Sequence, residues 1–400
     1  MADSQDSQGL LHASVQPGEV LAGKYSVERV IGSGGMGVVV VAVHVDLYER
    51  VALKFLLPEA MQVPEVVARF AREARAAFKL KSEHVGRVID MGTLEGNVPY
   101  IVMEYLEGGD LDHVLEERGP LPIGEAVEYV LQACEALAEA HTLGIIHRDL
   151  KPANLFLTRR RDGTPCVKVL DFGLSKVGVA IEPRRKGTGL TGTRQMLGSP
   201  LYMPPEQVSA SRDVDVRSDI WALGVILFEL LANSPPFVAD TLPELQGKVL
   251  GGMPEKLSAY RPDAPPGLEA VITKCLQKDR ANRYANVAEF ASALVPFGPM
   301  RCRVSAERIT RMIESSGQMV AQRPPPAFAD EGEVKPKALQ AGGDRAGSLQ
   351  ALPDKMKAMI AGGMLGALIL GALVSGIAVG SCSGGSGASG PTPSSTKSTR

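Results

Sequence analysis

The sequence predicts an α+β fold that begins with β-strands, with one additional membrane-spanning helix near the C-terminus. Residues 27–31 and 38–45 are rich in β-branched side chains, which favour strands. Residues 64–81 have the apolar spacing of a helix. Residues 359–379 are apolar and uncharged over 21 positions, which is long enough to span a bilayer.

The composition excludes several classes of protein. With 44% hydrophobic and 22% charged residues, the 400-residue chain can form a conventional core. A net charge of −2 argues against a general nucleic-acid-binding protein. The five cysteines are scattered without a CxxC pair, which excludes a disulfide scaffold or a zinc ribbon and favours a reducing compartment. Residues 1–24 contain no secretory signal and are expected to be disordered.

A glycine-rich turn joins the first two predicted strands, because residues 32–37 have the sequence GSGGMG. Such glycines let backbone amides approach phosphate oxygens without a Cβ in the way. Taken alone, the motif is equally compatible with a flexible hairpin turn or with a dinucleotide-binding fold. A dinucleotide-binding motif opens a helix, whereas here a second strand follows, so the context disfavours that fold.

Two charged residues follow on the next elements. Lys54 ends the run VALK, a predicted third strand, where a buried ammonium is costly unless it meets negative charge. A triphosphate and a helix carboxylate would supply that charge. Glu73 lies in the middle of the helix predicted at 64–81, and its alternative role is a solvated acid that pairs with neighbouring arginines.

The strongest signal is a cluster of motifs in the middle of the chain. Residues 147–154 have the sequence HRDLKPAN, and DFG follows at 171–173. The glycine-rich loop, the VALK lysine and a PPE element at 204–206 complete five motifs in one order. Residues 25–298 therefore resemble a eukaryotic-type serine/threonine protein kinase of the membrane-anchored bacterial kind.

The resemblance implies the bilobal protein-kinase fold. A small β-rich N-lobe would cover residues 25–106, and a larger, mainly helical C-lobe would cover 107–298. ATP and magnesium would bind in the cleft between the lobes, and a Ser or Thr hydroxyl of a protein would accept the γ-phosphate. Lys151, within the HRDLKPAN loop, favours the serine/threonine branch over the tyrosine branch.

Each motif residue then has an implied role in the cleft. Asp149 would orient or accept the proton of the substrate hydroxyl, and Lys151 would neutralise charge on the transferring phosphoryl group. Asn154 and Asp171 offer hard oxygen ligands for magnesium. The predicted ATP-binding residues, which include hinge residues and a lysine–glutamate pair, are Ile31, Gly32, Ser33, Gly34, Gly35, Met36, Gly37, Val38, Val39, Ala52, Lys54, Glu73, Glu104, Leu106 and Phe156.

Three further residues would support the cleft. His147 resembles the packing histidine of the family and is not expected to act as a base. Glu206 would pair with Arg283; the family's Ala-Pro-Glu is Pro-Pro-Glu here, and the added proline removes no charge, so activity is expected to persist. Asp219 would brace the backbone of the catalytic loop.

The segment from 174 to 203 carries a net charge of +4, from five basic residues and one acid. A solvated charged loop is one interpretation. Arg148 beside the catalytic aspartate, however, is typical of kinases whose activation loop is ordered by phosphate, and a phosphothreonine would pair with such an arginine. Thr191 and Thr193 are therefore predicted autophosphorylation sites.

The C-terminal quarter contains a linker, a span and a tail. Residues 299–357 are predicted to be a juxtamembrane linker in which 303–316 form a short amphipathic helix. Residues 358–380 are predicted to cross the membrane, since 21 helical residues reach about 32 Å and the hydrocarbon core is about 30 Å thick. A buried Gly- and Ala-rich helix is the alternative. Residues 381–400 are predicted to be a solvated tail.

Charged residues beside the predicted span and small residues within it predict its orientation in the membrane and its packing against a second span. Lysines precede the span and the tail has no charge until Lys397, which places the kinase domain in the cytoplasm of a single-pass membrane protein. Small residues recur at four-residue intervals, a pattern that would let two spans pack closely in a homodimer, and a lipid-facing Gly- and Ala-rich helix is the equal alternative. The members of this stripe are Gly363, Ala367, Gly371 and Ser375.

Two other functions remain as alternatives. A pseudokinase scaffold is disfavoured because Lys54, Asp149, Asn154 and Asp171 are all present. A small-molecule phosphotransferase is disfavoured by the HRDLKPAN sequence, the long threonine-containing loop and the PPE element, which favour a protein acceptor.

Overall fold

The computed structural model describes residues 15–33, 37–172, 199–209 and 213–317. The predicted span and tail, the linker beyond residue 317, and the predicted sites Gly34, Gly35, Met36, Thr191 and Thr193 lie outside these residues. Within the described ranges, every helix is too short or too polar to cross a membrane.

A six-stranded antiparallel sheet forms the N-terminal lobe, with strand order β1-β2-β3-β4-β6-β5. Its strands are β1 (Val20–Leu21), β2 (Tyr25–Ser33), β3 (Gly37–His44), β4 (Arg50–Leu56), β5 (Val88–Thr93) and β6 (Pro99–Glu104). The three strands predicted from the sequence are confirmed as β2, β3 and β4. Strand β1 corrects the prediction of disorder for residues 15–24, because it pairs with β2 and its Leu21 is buried.

Two helices lie between β4 and β5: α1 (Pro58–Met61) and α2 (Pro64–Lys79), which confirms the helix predicted at 64–81. Proline at the first position of α2 suits a helix start, because that residue needs no amide hydrogen. Val66, Phe70 and Ala74 form the buried stripe of α2, which packs with Leu56 and Ile101 of the sheet.

The C-terminal lobe is mainly helical and includes a small three-stranded sheet of β7 (Gly109–Asp110), β8 (Leu155–Arg159) and β9 (Pro165–Val169). Its core surrounds α4 and α6, whose side chains are almost entirely buried. The two-lobe arrangement implied by the resemblance is confirmed. The helices are α3 (Leu111–Arg118), α4 (Ile123–Thr142), α5 (Pro205–Val208), α6 (Arg217–Ala232), α7 (Leu242–Gly251), α8 (Leu257–Tyr260), α9 (Pro266–Cys275), α10 (Val287–Leu294) and α11 (Cys302–Ser315).

Helix α11 confirms the amphipathic helix predicted near 303–316 but corrects the predicted start of the linker at 299. Its side chains Cys302, Ala306, Ile309 and Ile313 are buried in the core of the C-terminal lobe. Their spacing of four, three and four residues forms one face of a helix, so this stretch packs with the catalytic lobe. The packed part of the chain therefore continues to Ser315.

Candidate active site

Lys54, Glu73 and Asp171 form an ion cluster where the two lobes meet. Strand β4 carries Lys54, the middle of α2 carries Glu73, and Asp171 lies two residues after β9. The Lys54 Nζ atom lies 2.7 Å from Asp171 Oδ1 and 3.3 Å from Glu73 Oε1. The structure thus brings together three residues that the sequence places far apart, and it confirms the predicted Lys54–Glu73 pair.

The charges of this cluster shift one another's pKa values. Burial alone would lower the pKa of the Lys54 ammonium, but the negative charges of Asp171 and Glu73 outweigh burial and raise it. Burial and the charge of Asp171 raise the pKa of Glu73 against the attraction of Lys54. Burial would also raise the pKa of Asp171, but the charge of Lys54 and the hydrogen bonds from Lys54 and Glu73 together outweigh burial and lower the pKa. Lys54 therefore remains a cation at neutral pH, as a residue that holds phosphate must.

The catalytic loop brings Asp149, Lys151 and Asn154 together. The Lys151 ammonium lies 3.1 Å from Asp149 Oδ2. The Asn154 amide nitrogen donates to the Asp149 carbonyl at 2.7 Å, so its side-chain oxygen is directed away from that carbonyl. The Leu170 amide donates to the Asn154 carbonyl at 2.9 Å, which ties Asn154 to the residue before Asp171. The loop thus holds the Asp149 and Asn154 side chains together and ties Asn154 to the segment that leads to Asp171.

Asp219 holds the backbone of this loop, as predicted. Its buried carboxylate accepts the amide hydrogens of His147 and Arg148, each at 2.9 Å, and lies 2.8 Å from His141 Nε2. Burial opposes ionisation of Asp219, but the hydrogen bond and charge of His141, together with His147 and the Arg148 amide, outweigh burial and lower the pKa of Asp219. Arg148 and Asp171 have φ angles of 65° and 58°, a strained region for residues other than glycine. The Asp219 bonds offset this strain at Arg148.

His147 has the packing role that was predicted for it. Its Nε2 atom donates to the Leu170 carbonyl at 2.8 Å, and its ring lies 4.9 Å from the ring of Phe172. Its Nδ1 atom accepts the Asp149 amide hydrogen at 3.3 Å. Both ring nitrogens are therefore used to fix the backbone on either side of the site.

Glu206 and Arg283 form the predicted ion pair beneath the site. The Arg283 guanidinium makes two bonds to the Glu206 carboxylate, at 2.8 and 2.9 Å, and the Ser218 hydroxyl donates to the same carboxylate at 2.7 Å. Burial opposes ionisation of Glu206, but these bonds outweigh burial and lower its pKa. The extra proline at 204 leaves this pair intact.

We expect the stability contributed by this pair to be lost in acid. Because the pKa of Glu206 is lower in the folded chain than its ordinary 4.5, its contribution is fully present above that value and is lost as the pH falls through the folded-state pKa. Glu206→Gln has no such titration. Urea unfolding of both proteins from about pH 6 to about pH 3 should show their stability difference shrinking. A constant difference over that range would contradict the assignment.

The sheet separates the predicted adenine-side residues into two sets. Val39 is paired with Lys54 across β3 and β4, and Ala52 lies two residues before Lys54, so the three side chains share one face of the sheet. Val38 points to the opposite face, where it is buried with Leu53 and other core residues. The Val38 side chain therefore lies on the face of the sheet opposite Lys54, and the contribution of Val38 to ATP binding stays a prediction.

The remaining predicted residues lie at the edges of the cleft. Ile31 is half exposed on β2, where Gly32 pairs with Val39. Phe156 lies on β8 two residues after Asn154 and is partly exposed. Leu106, between β6 and β7, is also partly exposed. Ser33 and Gly37 end β2 and begin β3.

The sequence analysis missed two links around the site. The Glu104 side chain, predicted on the hinge, bonds the Lys168 ammonium at 2.8 Å and the Arg87 amide at 2.8 Å, so it joins the hinge to the strand before Asp171. Gln207 donates to the Arg148 carbonyl at 3.0 Å. A lysine within the otherwise apolar β9 was the available signal for the first link. The second has no sequence signal beyond its position after PPE.

Comparison with known proteins agrees with this geometry. The family described as protein kinase domain matches residues 25–294. Among curated proteins, serine/threonine-protein kinase Pkn3 of Myxococcus xanthus is 36% identical over 86% of this chain, and Pkn1 of the same organism is 39% identical over 79%. The PknI kinase domain of Mycobacterium tuberculosis is a structural neighbour with a TM-score of 0.55 and 30% identity, covering 71% of this chain and 100% of that chain.

This chain matches only part of the length of these curated relatives. This chain spans 64% of the length of Pkn3 and 44% of the length of Pkn1. The family match nevertheless includes more than half of the chain and every motif residue of the site. The resemblance to serine/threonine protein kinases is therefore confirmed, and the chain belongs to the protein kinase family.

Proposed function

We propose that the protein transfers the γ-phosphate of ATP, with magnesium, to Ser or Thr hydroxyls of proteins. The observation that carries this proposal is the arrangement of Lys54, Asp149, Asn154 and Asp171. A cation fixed between two carboxylates lies at the lobe boundary, and the Asp149 carboxylate with Lys151 beside it lies on the catalytic loop. A pseudokinase would not need all four residues in this arrangement.

The residues present fit a magnesium–nucleotide. Asn154 uses its amide nitrogen on the Asp149 carbonyl, which leaves its amide oxygen for a cation, and Asp171 keeps a lowered pKa and so remains anionic. Amide and carboxylate oxygens are the hard donors that magnesium prefers. Magnesium would neutralise phosphate charge there. Lys54, whose ammonium lies 2.7 Å from Asp171, would bind the phosphates.

The protein's own residues would orient the reacting groups. Asp149 would accept the hydrogen bond of the substrate hydroxyl and take its proton as the phosphoryl group is transferred. Lys151, 3.1 Å from that carboxylate, would offset negative charge on the transferring group. Asp219 and His147 hold the loop so that both side chains are positioned before substrate arrives.

Asn154→Ala tests the metal assignment. Loss of one of two protein ligands should raise the magnesium concentration needed for half-maximal activity by about tenfold or more. Asn282→Ala, an exposed asparagine in the same lobe, is the matched control and should leave the magnesium dependence unchanged. An unchanged magnesium requirement in Asn154→Ala would remove Asn154 from the metal site.

The proposal includes autophosphorylation of Thr191 and Thr193. Among the described residues, the Arg148 side chain has no ion-pair partner, which supports a phosphate as its partner. A phosphothreonine adds a charge of about −1.5 to −2 and three acceptor oxygens, which suit a guanidinium. This proposal extends to other protein substrates, whose acceptors would also be Ser or Thr.

Replacement of both threonines by alanine should lower activity roughly tenfold, within the usual range of a regulatory coupling. Mass spectrometry of the parent after incubation with ATP should find phosphate on Thr191 or Thr193. Valine at both positions should match alanine, since neither carries a hydroxyl. Full activity in the alanine variant, with phosphate absent from both sites in the parent, would contradict the regulatory role.

We also propose that residues 358–380 anchor the protein in the cell membrane as a single span, with the kinase domain in the cytoplasm and with a homodimer formed through the small-residue stripe. The uncharged length of the segment and the lysines before it support this topology. Extraction of the full chain from membranes by detergent but not by alkaline carbonate is the expected result. Release by carbonate would contradict the span.

A further inference from the structure

Helix α11 lies beyond the residues that match the kinase family, yet it covers a face of α4. The family match ends at 294, and α11 runs from Cys302 to Ser315. Its buried side chains belong to the same core as those of α4. Helix α4 also contacts the loop that follows α2, the helix that carries Glu73. Helix α11 therefore packs against an element that contacts the N-terminal lobe.

Two arginines, one directly before α11 and one within it, form ion pairs with two glutamates of α4. Arg301 pairs with Glu128 through two bonds, and Arg308 lies 3.6 Å from Glu135. The two arginines are seven residues apart in the sequence, and so are the two glutamates. The two helices therefore run side by side in one register. Each glutamate side chain is only 9% exposed. A carboxylate that is so deeply buried requires a cation.

Among the described residues, Arg308 is the single arginine or lysine within 4.0 Å of Glu135. The other neighbour of that carboxylate is His84, at 3.9 Å, whose pKa is lowered chiefly by burial. His84 is therefore a weak source of positive charge at neutral pH. Arg308 also approaches Glu83 at 3.9 Å, so one guanidinium bridges α4 and the loop after α2.

That loop, Leu80 to Val88, is fixed at several points. Glu139 of α4 accepts the amide hydrogens of Lys81 and Ser82 at 2.7 to 2.9 Å. The loop then bonds β9, where the Val169 amide donates to the His84 carbonyl at 2.8 Å. Helix α2 ends at Lys79, directly before the loop, and Asp171 lies two residues after the end of β9. The loop therefore follows the helix that carries Glu73 and is hydrogen-bonded to the strand that precedes Asp171. Glu73 and Asp171 are the two carboxylates that contact Lys54.

We propose that α11 is a positioning element for the active site: Arg301 and Arg308 hold α4 and the loop after α2, and through that loop they fix Glu73 against Lys54. The inference rests on the proposed use of ATP, since Lys54 is the residue whose phosphate contacts would change. Glu73 lies about two turns before the end of α2, so a shift of the loop moves it with the helix. Small displacements of positioning groups have large effects on phosphoryl transfer.

The test uses two variants of the full chain. The first combines Arg301→Ala with Arg308→Ala, and the second carries Arg308→Ala alone, which perturbs the fold less. Equilibrium binding of ATP with magnesium is measured on protein whose folded fraction is checked by circular dichroism. We expect ATP to bind at least about threefold more weakly in the double variant, a typical coupling between sites. Arg308→Lys should restore most of the affinity. Arg303→Ala is the control, because Arg303 is exposed on α11 and has no ion pair among the described residues.

A second measurement separates positioning from general destabilisation. In a Glu73→Gln background, the arginine changes should no longer weaken ATP binding if they act through Glu73, whereas a general structural effect would persist. Weakening of equal size in both backgrounds would overturn the inference, as would unchanged ATP affinity in the double variant. A parent protein that binds no ATP would overturn the proposed function and the inference together, so the two failures are distinguishable.

Discussion

Replacement of Asp149 by asparagine is expected to remove phosphoryl transfer almost completely while leaving ATP binding in place. Asparagine keeps the size of the side chain and the contact with Asn154, but it cannot take the proton of the acceptor hydroxyl. Proton transfer by a positioned side chain contributes about 10²- to 10⁴-fold to rate, so kcat should fall by that factor. Steady-state assay of transfer to a protein acceptor gives kcat.

The same variant should bind nucleotide normally, because the phosphate-holding cluster lies elsewhere. Lys54 is held by Glu73 and Asp171, whereas the Asp149 carboxylate contacts Lys151 of its own loop. Asp46→Asn, an exposed aspartate in the N-terminal lobe, is the control and should retain activity. A kcat within a few-fold of the parent in Asp149→Asn would assign the base to another residue.

Replacement of Arg283 by methionine is expected to destabilise the fold by about 3–5 kcal/mol, since a buried pair that loses one partner leaves an uncompensated charge. The Arg283 side chain is completely buried, and its guanidinium lies 4.9 Å from the Trp221 ring. It also donates to the carbonyls of Gln277 and Arg217. Methionine would fill the space without replacing any of these bonds. Chemical denaturation measures the loss.

Removing both partners should cost less than removing one. In Glu206→Leu with Arg283→Met, no charge remains buried without a partner, so part of the stability should return. Arg303→Met, on the exposed face of α11, should change the unfolding free energy by well under about 1 kcal/mol. If Arg283→Met were equally mild, the Glu206–Arg283 pair would not be the anchor of this lobe.

Local patterns were sufficient for the elements that carry the site. Strands β2 to β4 follow from β-branched runs, and α2 follows from its apolar spacing together with proline at its start. Five motifs in order then located Lys54, Asp149, Asn154 and Asp171. The sequence also predicted two of the ion pairs that the structure contains, Lys54 with Glu73 and Glu206 with Arg283. Both predictions were possible because these residues belong to motifs of the family.

Other features could not be predicted, since they depend on contacts between distant segments. The Glu104–Lys168 pair joins residues 64 positions apart, so the lysine within the apolar β9 indicates that a partner is needed but does not identify Glu104. The side of β3 that faces the cleft is set by pairing with β4, so Val38 and Val39 could not be separated from sequence. The burial of α11 was missed because its surroundings have the composition of a linker.

The most direct test of the proposed activity is transfer of label from γ-labelled ATP, with and without magnesium, followed by analysis of the phosphorylated amino acids. The parent chain is expected to place label on serine or threonine, only with magnesium, and Asp149→Asn is expected to place none. Label on tyrosine, or no label in a parent protein that binds ATP and magnesium, would contradict the proposed serine/threonine kinase activity.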